Sequence, residues 1–236
     1  MTYNRLNKLH ALIFDVDGTL VLSEKEGHWP ACNDAFKQLG LPVQWDWPTF
    51  KSLLTIPGNA NRLRFWLKEK LGWSEADIHK IVRQFESLKK SIYINHYLPA
   101  LTLREGVENI LQEAVEAGLS LAIVSTTYES QIHALLDRQL KTYKPHFTCV
   151  LGKESGPKTG ANGILYQKCI EQLAIPAEHV LVIEDSSAGM QAALKAGLAV
   201  AVIYNEVTFG EDFNGAHLVA RSLKYFNLST LEKLCL

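Results

Sequence analysis

The chain has 236 residues, 47% of them apolar, enough to bury a sizeable core as one domain or as a domain with an insertion. Its 24 basic and 25 acidic residues leave a formal net charge of -1, which gives no electrostatic case for a nucleic-acid partner. Four cysteines, Cys32, Cys149, Cys169 and Cys235, are scattered without a Cys-x-x-Cys pair, which argues against a zinc site or disulfide frame and for a reducing, cytoplasmic setting.

At the N-terminus the apolar run is too short for a signal peptide and ends in acids. No later segment is apolar for long enough to cross a bilayer, so no membrane partner is expected. That first run lies in "HALIFDVDGTLVLSE". Leu12–Phe14 is β-prone and apolar throughout, the pattern of a strand covered on both faces. Asp15 and Asp17 follow where the strand should end, and Gly18 and Thr19 can turn the chain and offer a hydroxyl. An Asx turn needs only one Asp or Asn and a Gly. Two aspartates at the end of a buried strand ask for a further reason, because a buried carboxylate is costly unless it is paired or holds a metal.

From Ser23 to about Pro99 no good strand appears, but helical patterns do. They are "EKEGHWPACNDAFKQLG", "WPTFKSLL", "NRLRFWLKEKLG" and "SEADIHKIVRQFESLKKSIYINHY", punctuated at Gly40–Pro42, Pro57–Gly58 and Gly72–Ser74. All five tryptophans, Trp29, Trp45, Trp47, Trp66 and Trp73, fall here and are expected to pack a small helical bundle. The boundaries predicted are a core of residues 1–22 and 100–236 with an all-helical insertion at 23–99.

Apolar runs return at Leu119–Ser125, Phe147–Gly152, His179–Asp185 and Leu198–Tyr204, each preceded by a helix-like stretch. Gly118 and Gly197 stand where two of those helices should end. Such alternation predicts an α/β fold with a doubly wound, Rossmann-like parallel sheet. Ligands gather at the carboxyl ends of the strands in such sheets, near the point where strand order reverses. The strand ends here carry Asp15 and Asp17, then Ser125, Thr126 and Thr127, then Glu184 and Asp185, with Lys153 and Lys158 after the third strand. Each alone has a plain structural use as a cap or a solvated charge. Together they describe a site for a divalent cation and a phosphoryl group.

The motifs "DVDGTL", "STT" and "VIEDSSAGMQAALKAG" resemble those of the haloacid dehalogenase superfamily hydrolases, in the phosphatase branch with a helical cap inserted after the first strand. Within the insertion, "CNDAFKQLGL" and "NANRLRFW" are more loosely similar to sugar-bisphosphate phosphatases encoded near Rubisco and their plastid relatives. The resemblance implies a Mg²⁺-dependent phosphatase acting on a small phosphorylated sugar; separately, a monomer is expected. It implies Asp15 as nucleophile and Asp17 as acid and base, with Asp15, the main-chain carbonyl of Asp17, Asp185 and Glu184 around Mg²⁺. Ser125, the Thr126 amide and a lysine would hold the phosphoryl oxygens. The cap would set substrate choice, with Arg62, Asn59 and Glu24 as candidates for a second phosphate or a sugar hydroxyl.

Departures from the family pattern bear on these roles. The usual Lys-Pro-x-Pro is replaced by "GKESGPKTGANGILY"; Lys158 is aligned with the essential lysine because it lies nearer the helix carrying Tyr166, and Lys153 is the fallback. Leu22 stands where an acid is usual, and "GNANR" replaces Gly-Gly-Lys-Glu-Arg. A histidine frequent in the family aligns with Gly27 unless one residue is inserted, which would bring in His28; on a regular helix His28 would be turned about 100° from that face. On that ground hydrolysis is preferred over a β-phosphoglucomutase-like transfer. A receiver-like signalling domain is disfavoured by the tandem aspartates and the insertion.

Overall fold

The computed structural model describes residues 9–160 and 162–235. Strand β1, Ala11–Phe14, has all four side chains buried, as its unbroken apolar run requires. Successive side chains of a strand face opposite sides, and Ala11 and Ile13 belong to one of the two apolar layers that cover the sheet.

The helical unit, Ser23–Leu101, holds α1 (Trp29–Gln38), α2 (Trp47–Leu53), α3 (Asn59–Glu69) and α4 (Glu75–Ile92). The α4 helix buries Ile78, Val82, Phe85 and Ile92, a single stripe at helical spacing, and Ser74 caps its start by accepting from Asp77 N at 3.2 Å. Asp46 caps α2 in the same way, accepting from Thr49 N at 2.9 Å. Trp45 is fully buried at the centre, edge-on to Phe36 at 4.7 Å and to Trp66 at 6.0 Å.

The other unit combines the chain up to Leu22 with the chain from Thr102. Its helices are α5 (Val107–Glu116), α6 (Glu129–Arg138), α7 (Ile164–Leu173), α8 (Ser187–Lys195) and α9 (Leu228–Glu232). Its further strands are β2 (Ser120–Val124), β3 (Phe147–Leu151), β4 (Val180–Glu184), β5 (Ala199–Ile203) and β6 (Leu218–Ala220). Strands β2 to β5 each end within a residue of the apolar run that predicted them. Strand β6 was not expected: it is three residues long and only half-buried, too short to show a period.

All strand pairs are parallel, in the order β3-β2-β1-β4-β5-β6. This is a doubly wound sheet, and the order reverses between β1 and β4. Asp15 directly follows β1, and Asp185 directly follows β4, so the two carboxylates flank the switch point. Among the described residues no helix is long and apolar enough to cross a membrane.

Candidate active site

The β1 ladder runs one residue past the strand, since Asp15 N donates to Ile183 O at 3.0 Å. The chain then curls tightly, with Val16 O accepting from Leu20 N at 2.9 Å and Val21 O accepting from Gly18 N at 2.7 Å. Gly18 has φ +89°, and a Cβ there would lie 2.2 Å from Asp185 Oδ2. Glycine is needed both for the left-handed backbone and for the approach of the second carboxylate.

Asp15, Glu184 and Asp185 are all buried and offer three carboxylate oxygens within 4.8 Å of one another. Lys158, buried as well, bridges the first two: its Nζ bonds to Asp15 Oδ1 and lies 2.5 Å from Glu184 Oε1. Tyr166 on α7 donates its hydroxyl to the same Glu184 oxygen at 2.8 Å. The other oxygen of Glu184 accepts from Asp185 N at 3.1 Å, Ser186 N at 3.4 Å and Ser186 Oγ at 3.3 Å, at the start of α8. Gly189, one turn in, lets this carboxylate fit, for a Cβ there would meet Glu184 Oε1 at 2.1 Å.

Burial raises the pKa of Asp15 to about 7; Lys158 pulls against the rise, and Glu184 and Asp17 add to it. Asp185 is raised well above its ordinary value by burial, then by Asp15 and Glu184. For Lys158, burial opposes the charge, but Asp15 and Glu184 more than offset it and its pKa is raised. Were all three carboxylates to ionise, the one ammonium would leave two negative charges in a buried space. Hard oxygens with that residual charge fit a divalent cation of the Mg²⁺ type.

The Asp17 carboxylate is not one of the three. It is half-buried and accepts a hydrogen bond from Thr127 Oγ1. Ser125, buried at the end of β2, accepts from Thr127 N at 3.3 Å, while Thr126 is exposed. Of the two candidate lysines, the fold brings Lys158 to Asp15; Lys153 is exposed, with its Nζ 2.7 Å from Tyr128 Oη.

Within the helical unit, Arg62 meets both of the other residues proposed for substrate. Arg62 Nη1 donates to Asn59 Oδ1 at 2.7 Å and lies 4.0 Å from Glu24 Oε2. Its Nε donates to Leu53 O at 3.1 Å and Ile56 O at 2.9 Å, so this arginine is buried and closes the end of α2.

The expectation about His28 needs correction. Residues Glu24–His28 form a π-turn, not an α-turn, with Trp29 N bonded to Glu24 O. Such a turn absorbs one extra residue, so α1 is set back in phase by one position and the 100° argument against His28 fails. His28 itself is buried, stacked on Tyr93 at 4.2 Å, with its Nδ1 2.7 Å from Lys89 Nζ.

Sequence reasoning missed four side chains that shape the site. Thr127 stood in the "STT" motif without a role, and Tyr166 was used only as an alignment landmark. Asn205 donates to Asp185 Oδ2 at 2.6 Å. Arg104 bonds to Gly18 O and reaches Ile203 O at 2.7 Å, Tyr204 O at 2.9 Å and Arg221 O at 2.8 Å. Neither Asn205 nor Arg104 lies in a motif, and Gly18, which both reach, is 187 and 86 residues away in the chain.

Comparison with known proteins places this geometry. A family model described as haloacid dehalogenase-like hydrolase matches residues 12–203. Protein CbbY of Cupriavidus necator is 34% identical over 220 residues, covering 89% of this chain and 84% of that protein. The crystal structure of CbbY from Rhodobacter sphaeroides in complex with phosphate superposes with a TM-score of 0.81 at 27% identity, covering 95% of this chain and 99% of that one. A mutant of that protein in complex with xylulose-(1,5)bisphosphate gives 0.77 at 27% identity, over 94% and 99% of the two chains.

Proposed function

The chain belongs to the haloacid dehalogenase-like hydrolases and is a phosphoric monoester hydrolase, and from that premise we propose that it is a Mg²⁺-dependent phosphatase of a small phosphorylated sugar. The observation that carries the reading is the convergence of Asp15, Glu184, Asp185 and Lys158 at the switch between β1 and β4. The complex of the R. sphaeroides relative with xylulose-(1,5)bisphosphate supports a sugar phosphate as substrate.

In this reading Asp15 attacks phosphorus and becomes an aspartyl-phosphate, while Asp17 gives its proton to the leaving sugar oxygen. Water then attacks the acyl phosphate, Asp17 takes the water's proton, and inorganic phosphate leaves with Asp15 restored. Ser125, the Thr126 amide and Lys158 hold the phosphoryl oxygens as negative charge builds on them. Asp15, Asp185, Glu184 and the Asp17 carbonyl would hold Mg²⁺, which supplies charge neutralisation between a carboxylate and a phosphate dianion. Thr127 orients the Asp17 carboxylate. Glu24, Asn59 and Arg62 are assigned to the second phosphate or a hydroxyl of the sugar. The enzyme is taken to be a cytoplasmic monomer with no nucleic-acid or membrane partner.

The test is phosphate release from a panel of mono- and bisphosphorylated sugars, including xylulose-(1,5)bisphosphate, with Mg²⁺ and with excess chelator. Mg²⁺-dependent release that is lost in Asp15→Asn is expected. Full turnover in chelator overturns the metal assignment. Sugar-phosphate isomers formed faster than phosphate, or dependence on a bisphosphate primer, would make the protein a mutase.

A further inference from the structure

Asn205 lies just beyond the end of β5, in a loop that carries no motif. Its side-chain oxygen accepts from Val207 N at 2.7 Å and from Thr208 N at 3.3 Å. Its own backbone N–H donates to Thr208 Oγ1 at 3.1 Å, and Thr208 is buried. The two loop amides can only donate, so the atom facing them is the amide oxygen and the NH₂ must point the other way. There it meets two groups that accept: Asp185 Oδ2 at 2.6 Å and Gly18 O at 3.2 Å. The donor and acceptor ends of Asn205 are therefore each matched to what they face, and the side chain has one orientation.

We infer that Asn205 is a positioning residue for the cation site, holding the Asp185 carboxylate and the Gly18 carbonyl in place before the cation arrives. The inference rests on the reading that Asp15 and Asp185 hold Mg²⁺. Tying Oδ2 stops the Asp185 carboxylate from rotating and leaves its other oxygen for the cation. Order imposed in advance does not have to be imposed on binding, so affinity rises. A neutral donor suits the position, because a lysine there would supply the charge that the cation is to supply. An acid would add a carboxylate against Asp185. Gly18 adjoins Asp17, so the same NH₂ ties the β1 loop to the β4 loop across the switch point.

The test is the affinity of the full chain for Mg²⁺ alone, measured by titration calorimetry for the wild type, Asn205→Ser and Thr208→Val. Serine keeps an oxygen for the turn amides but has no donor long enough to reach Asp185. Asn205→Ser is expected to bind Mg²⁺ more weakly by about tenfold or more, the usual effect of removing such a supporting partner. Thr208→Val keeps the Asn205 amide and should bind nearly as well as the wild type. The Mg²⁺-induced rise in melting temperature gives the same comparison for a variant too unstable for calorimetry. Wild-type affinity in Asn205→Ser, or equal losses in both variants, would overturn the inference. A wild-type chain that binds no Mg²⁺ would instead remove the reading of the carboxylates on which the inference stands.

Discussion

Lys158 Nζ is bonded to the carboxylate of Asp15, 143 residues earlier in the chain, and both side chains are buried. Lys153, only five positions before Lys158, reaches the Tyr128 hydroxyl instead. An ammonium in the buried position stabilises charge that develops there far more than one in water does. Lys158→Ala is therefore expected to lower kcat by about a hundredfold or more, and Lys153→Ala by much less. Steady-state rates on the best sugar phosphate decide it, and the reverse order would move the catalytic role to Lys153.

Gly189 lies inside α8, where replacing glycine by alanine in an exposed helix would stabilise by about 1 kcal/mol. Here the new methyl would lie 2.1 Å from Glu184 Oε1 and 2.3 Å from Oε2. The Glu184 carboxylate is fixed from several sides and cannot yield cheaply. Gly189→Ala should thus destabilise by about 1–3 kcal/mol in urea unfolding and lower kcat as well. A stabilised variant would show that the carboxylate is free to move.

Arg62 closes the α2 end by donating to two carbonyls and to Asn59. Lysine retains the charge but has no planar fork to satisfy those acceptors together. Arg62→Lys is expected to destabilise the chain by about 1–3 kcal/mol, read as a lowered urea midpoint. If stability is unchanged and only KM for bisphosphorylated sugars rises, the arginine serves substrate alone.

Asp15 is pushed up from 3.8 to about 7, chiefly by burial. A carboxyl with a higher pKa folded than unfolded favours folding while it holds its proton. That contribution is whole below 3.8 and is lost as pH rises through about 7. In chelator, the melting temperature of the wild type should therefore fall relative to Asp15→Asn between about pH 4 and about pH 7, and level off above. Mg²⁺ should raise the wild-type melting temperature more at the upper end of that range, because it binds the ionised form. A difference that does not vary with pH would contradict the burial of this carboxyl.

Much of the architecture was legible in the chain because its signals are local. Buried parallel strands read as unbroken apolar runs, and Leu12–Phe14 and Leu181–Ile183 show this directly. Acids placed directly after such runs mark strand ends, which is why Asp15, Asp17, Glu184 and Asp185 could be named in advance. The π-turn at Glu24–His28 escaped notice because one inserted residue leaves the helical pattern on either side intact, and only the bond from Trp29 N to Glu24 O reveals it.

Other features arise only when strands are ordered and loops from distant parts of the chain meet. The choice between Lys158 and Lys153 depends on which one the loop after β3 delivers to the β1 end. Tyr166 against Glu184 and Thr127 against Asp17 depend on how the elements around β1 are arranged in space. Asn205 and Arg104 meet Gly18 across 187 and 86 residues of chain, respectively. The sequence by itself determined which chemical groups stand at the strand ends, because strand pattern and turn chemistry act over a few neighbouring residues. Only the tertiary structure decided which of them share a hydrogen bond, because that depends on strand order and on burial that no local window contains.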